Sequence, residues 1–161
     1  MPPSGAIETI HIAAASAALM FGSVALFDAK GDRQHRLWGA AYVLAVLTLN
    51  VSSFGLYRLL GSFGPFHVVA LASLGVLTMG VVAVLRRRPG WLLAHRRWMI
   101  RSYLILLAAA TIAALVRLPV FGDALATPRR IIFASLGIAA LFALIGRFVV
   151  PREKSTEGRI G

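Results

Sequence analysis

Long apolar blocks, with most of the basic residues in the gaps between them or toward their ends, constrain this chain more than any other feature. Five such blocks run about 6–27, 35–60, 66–85, 92–118 and 131–150, and residues 151–161 form a polar tail. A block of about 20 apolar residues is what a helix needs to cross the hydrocarbon core. In lipid each backbone group must be satisfied within its own element, so the blocks are read as helices. The chain is 58% hydrophobic and only 14% charged, with a mean hydropathy of +0.79. A soluble domain of this length has no interior large enough for that much apolar surface. The expected fold is therefore all-α: an integral membrane bundle of five transmembrane helices in a single domain, four forming a core and the fifth peripheral.

A formal charge of +11 invites a nucleic-acid reading. The distribution of charge argues against it, because a nucleic-acid module gathers Lys and Arg on one solvated face. Here they punctuate the spans, where they act as topology signals. With the N-terminus outside, the cytoplasmic side holds Lys30, Arg33, Arg36, Arg86, Arg87, Arg88, Arg96, Arg97, Arg101, Arg147, Arg152, Lys154 and Arg159. The outer side keeps only Arg58, Arg117, Arg129 and Arg130. The positive-inside rule thus predicts an N-out, C-in chain. Trp38, Trp91 and Trp98 are expected as interfacial anchors. The first apolar block runs on as a full span after an N-terminus without basic residues, so it is not read as a cleavable signal. With no cysteine in the sequence, thiolate metal sites, cysteine nucleophiles and c-type haem attachment are excluded.

The four histidines fall one to a helix in the first four helices: His11, His35, His67 and His95. Since successive helices alternate in direction, His11 and His67 are expected near the outer face, and His35 and His95 near the cytoplasmic face. His11 lies about 16 residues from the cytoplasmic end of its helix, roughly 24 Å at the α-helical rise. In an antiparallel four-helix core, helices 1 and 3 face each other across one diagonal and helices 2 and 4 across the other. Two neutral imidazoles on opposite sides of one iron are what a bis-histidine b-type haem needs. The pattern therefore predicts two haem b sites, His11 with His67 and His35 with His95. Arg36, Arg96 and Arg101, with Arg97, are candidates to hold propionates at the inner level. Arg101 is expected to reach the cytoplasmic interface or the inner site rather than lipid.

Each feature also has a plainer explanation. Histidines near helix ends are often interfacial. The small-residue stripe Ala14, Ala18, Gly22 and Ala25 is more often a helix-packing surface than room for a porphyrin. Tyr42 and Asn50 are expected as hydrogen-bond partners within the bundle. Paired histidines also suit metal or proton handling. The competing reading is accordingly a non-redox membrane protein, a carrier or an accessory subunit of a complex. Nothing points to hydrolysis: no span carries a carboxylate pair, and there is neither a nucleophile motif nor a glycine-rich phosphate loop.

The runs HIAAASAALMFGSVALFDAKGDRQHRLWGAAYV, GPFHVVALASL and HRRWMIRSYLILLAAATIAALVR resemble the bacterial membrane family catalogued as domain of unknown function 2306. That resemblance covers about His11 to Arg117 and implies a multi-pass protein of the bacterial cytoplasmic membrane, without implying an activity. The histidine pairing is separately similar, in architecture alone, to cytochrome b561, whose four core helices each supply one ligand to two haems. The function expected on this basis is electron transfer through two haems, as a transmembrane oxidoreductase or carrier. Its partners would be the lipid bilayer and a quinol or redox protein, with assembly into an oligomer or complex open and no role for nucleic acid.

Overall fold

In the computed structural model, residues 4–28, 31–56, 65–117 and 127–150 are described, and every regular element among them is a helix. The helices are α1 (Ser4–Phe27), α2 (Arg33–Ser53), α3 (Pro65–Arg86), α4 (Trp91–Arg117) and α5 (Pro128–Val149). The tail 151–161 and the connection 118–126 lie outside the described residues.

Local chemistry sets the boundaries, and in three places moves them from those expected. Asp32 caps α2: its backbone is extended, and its carboxylate accepts from the His35 amide at 2.7 Å. Such a cap satisfies one of the orphan amides of the first turn. The helix thus begins at Arg33 rather than at 35. It also ends at Ser53, not at residue 60. Asn50 donates to the Val46 carbonyl, and the Ser52 and Ser53 hydroxyls donate to the carbonyls of Leu49 and Asn50. Side chains that bond nearby carbonyls in this way compete with the helical ladder. The backbone tightens there into bonds spanning three residues, from Phe54 to Val51, Gly55 to Ser52 and Leu56 to Ser53. Residues 57–60 are outside the described residues. At the other end of the chain, α5 begins at Pro128 instead of 131, because proline's fixed φ and missing amide suit a first helical position. Between α3 and α4 the chain turns through Arg87, at φ +44°, and Gly90, at φ +76°.

Helix α1 packs along α2, α2 touches α3, α3 packs along α4, and α4 closes the ring on α1. Helices α1 and α3 therefore face each other across one diagonal and α2 and α4 across the other. α5 lies outside this ring against α4. The centre is filled by Ala18, Tyr42, Ala45, Val46, Leu77 and Leu106. The small stripe of α1 is a packing surface: a Cβ on Gly22 would stand 2.6 Å from the Tyr103 ring and 2.9 Å from that of Tyr42. Only hydrogen at this position lets the two tyrosines lie against α1.

Four of the helices, α1, α3, α4 and α5, are long and apolar enough to cross a membrane. Their outward faces carry large apolar side chains such as Ile10, Met20, Leu71, Met79, Phe133 and Phe148. Contiguous exposed apolar surface on this scale is what lipid covers. α2 is more polar, since Gln34, Arg36, Asn50, Ser52 and Ser53 all lie in or at the ends of its 21 residues.

Candidate functional site

The histidines are placed by different local devices. His11 is half-buried on α1, with Nδ1 3.0 Å from the Ser52 hydroxyl of α2. That hydroxyl spends its own proton on the Leu49 carbonyl, 2.9 Å away. It must therefore accept from His11, which fixes the neutral ring with its proton on Nδ1 and the lone pair on Nε2. His67 stands in the first turn of α3 yet is only 5% exposed. Its ring lies against Phe54, with centroids 5.8 Å apart. His11 and His67 thus both meet the C-terminal end of α2. A little further into the bundle, Asn50 of α2 donates to Ser73 of α3 at 3.2 Å.

At the opposite end, His95 of α4 bonds the Gly80 carbonyl of α3 through Nδ1, at 2.9 Å. A carbonyl can only accept, so the neutral ring again carries its proton on Nδ1 and its lone pair on Nε2. Hydrogen bonding of one ring nitrogen to a carbonyl or hydroxyl is how proteins orient an imidazole whose other nitrogen binds a metal. The two helices also approach closely at Gly80: a Cβ there would meet the Met99 sulfur at 2.7 Å. His35 is half-buried, and its Nδ1 is fully buried with no hydrogen-bond partner among the described residues. Buried polar atoms in that state are rare, and each calls for an explanation such as a missing ligand.

Between the two ends lies a layer of hydroxyls. Tyr42 of α2 and Ser102 of α4 are hydrogen-bonded across the diagonal at 2.9 Å, and both are essentially inaccessible. Tyr103 turns to α1 instead, bonding Ser23 and the Leu19 carbonyl. Ser102 falls two helical turns after His95 and so shares its face. Arg101, six residues after His95, does not. It is exposed on the outer surface of α4, its guanidinium 4.8 Å from the centre of the Trp98 ring. Arg36 and Arg96 are exposed as well, Arg36 donating to the Asp32 carbonyl at 3.2 Å.

The structure brings Tyr42 and Asn50 into the bonds expected of them inside the bundle. Two residues that orient histidines were not anticipated, Ser52 and Gly80. Gly80 could have been suspected, since a glycine in an apolar helix often marks a close helix contact. Among the described residues no three His, Cys, Asp or Glu side chains cluster as metal ligands. A bis-imidazole group would need neutral rings held by one nitrogen: His11 and His95 are each held through Nδ1, and Nδ1 of His35 is buried without a hydrogen-bond partner among the described residues.

No curated protein and no solved structure matches the chain. The profile of a family described as predicted membrane protein, domain of unknown function 2306, matches residues 8–151, a span that includes all four histidines. With that match over most of its length, and four helices apolar enough to cross a bilayer, the chain belongs to this family of multi-pass membrane proteins.

Proposed function

We propose that this protein is a small b-type cytochrome of the bacterial cytoplasmic membrane, with five spans, the N-terminus outside and the C-terminus inside. His11 and His67 would hold one haem near the outer face, and His35 and His95 a second near the cytoplasmic face. A haem bound in this way supplies one-electron chemistry. The chain's own part is to present neutral imidazoles, to fix their orientation through Ser52 and the Gly80 carbonyl, and to keep water from the middle of the bundle. Arg36 and Arg96, each next in sequence to an inner histidine, are the cations this reading assigns to propionates. Electrons enter and leave through a quinol or a redox partner protein.

The observation that supports the reading is the ring order of the helices, which puts α1 opposite α3 and α2 opposite α4, the helices that carry the members of each proposed pair. The experiment is a reduced-minus-oxidised visible spectrum of protein purified from haem-replete cells. Low-spin b-type bands are expected, insensitive to added carbon monoxide because two histidines would hold each haem. Folded but colourless protein would overturn the proposal. The other reading, a proton- or metal-handling protein without redox chemistry, would then stand. It draws support from the buried hydroxyls of Tyr42 and Ser102 and the half-buried pair Ser23 and Tyr103 between the histidine layers.

Topology has its own test. Reporter fusions after Arg88 and after Arg159 are both expected to read cytoplasmic. A periplasmic reading after Arg88 would reverse the orientation and exchange the two haem levels.

A further inference from the structure

Arg101 is a charge in the wrong place for a helix facing lipid. Helix α4 has 27 residues, so it is about 40 Å long and exceeds a hydrocarbon core of about 30 Å by roughly 5 Å at each end. Arg101 follows Trp91 by about ten residues, or roughly 15 Å, which sets its Cα about 10 Å inside the apolar layer. It is exposed on the outside of the bundle, where the solvent is acyl chain. A long side chain can reach back toward the headgroups, and this one does: its guanidinium lies over Trp98, one turn nearer that end. The ring supplies a partial counter-charge but no carboxylate does. None of the described acidic residues pairs with Arg101, and the sequence has no Asp or Glu between Asp32 and Asp123. Arg97 stands one turn nearer the same end on the same side of the helix, and Arg86, Arg87 and Arg88 line the adjoining turn. A charge at this depth is costly unless it finds an anion.

We infer that Arg97, Trp98 and Arg101 form a binding site for the phosphate of an anionic phospholipid, drawn slightly inward along α4. The planar guanidinium grips phosphate oxygens in a forked geometry, and Trp98 occupies the interfacial level where indole rings settle. The basic turn above it concentrates anionic lipid at the entrance. The site depends on membrane insertion alone, and stands or falls independently of the haem proposal.

The test uses the full chain in neutral detergent, offered phosphatidylglycerol or phosphatidylcholine of the same acyl composition, with retained lipid counted by native mass spectrometry. A preference of about tenfold for phosphatidylglycerol is expected from two arginines acting together. Arg101→Gln and Arg97→Gln should each bring the two lipids close to parity. Arg33→Gln, at the same end but on α2, should leave the preference in place. An absent preference in the unaltered protein, a preference that survives Arg101→Gln, or an equal loss in Arg33→Gln would each overturn the site. If Arg101→Gln does not accumulate, Arg101→Lys takes its place. It keeps the charge and loses the fork, so the preference should fall to about threefold, and an unchanged preference would overturn the site as well.

Discussion

His67→Ala is expected to remove half of the bound haem and to leave the remainder spectrally unchanged, and His11→Ala is expected to give the same result. Both variants delete one histidine of the same proposed site, and a haem that two histidines would hold is left with one. The double variant should look like either single, because residues acting as one unit are not additive. His35→Ala and His95→Ala should form a second such set, and a variant combining one residue from each set should be colourless. Haem-to-protein ratios and reduced spectra read all of this directly. His67 is the more severe test, since its ring is almost wholly buried beside Phe54 and its removal leaves a void. His67→Met, which keeps most of the volume, separates loss of the ligand from loss of the fold. Losses that group in any other way, for instance His11 with His35, would dissolve the pairing even if haem is present.

The second large effect concerns packing. Gly22→Val is expected to destabilise the bundle by about 2–3 kcal/mol, toward the upper end of what overpacking costs. The added side chain would enter the Tyr103 and Tyr42 rings, 2.6 and 2.9 Å from where its Cβ must lie. Neither ring can retreat easily. Tyr42 is 2% exposed and tied to Ser102, while Tyr103 is tied to Ser23 of the same helix that carries Gly22. Gly137→Val on α5 is the matched control, since nothing lies within 4 Å of a Cβ at that position. Unfolding in a graded detergent mixture should separate the two variants clearly. Equal stability would mean that the tyrosines do not hold α1 as described.

What the sequence made legible follows from how local each determinant is. Four apolar blocks long enough to span a bilayer are a property of short runs of residues, and they reappear as α1, α3, α4 and α5 with ends shifted by only a few positions. Tyr42 and Asn50 could be assigned to the interior because a polar side chain on an apolar helix has few other options. The end of α2 was harder to read. Its apolar pattern continues past Ser53, and only the combined back-bonding of Asn50, Ser52 and Ser53 shows why the helix stops there. The burial of His67 was also hidden, because a histidine beside Pro65 reads as an interfacial residue until Phe54 is brought against it by the fold. Arg101 illustrates the same limit from the other side. Its depth could be counted from the sequence, but the face it occupies depends on which stripe of α4 meets α3 and α1.

The order of helix contacts also bears on how the protein is made. α1 and α2 pack extensively as neighbours, and so do α3 and α4, so each hairpin can pair as soon as its second helix leaves the translocation channel. The two hairpins then close the ring through α2 with α3 and α4 with α1. α5, whose spanning window holds no buried residue, follows them and docks on a surface already formed. Biogenesis therefore has a natural checkpoint before α5 is synthesised, and faults in α5 would alter how much protein survives quality control without altering what the first four helices assemble.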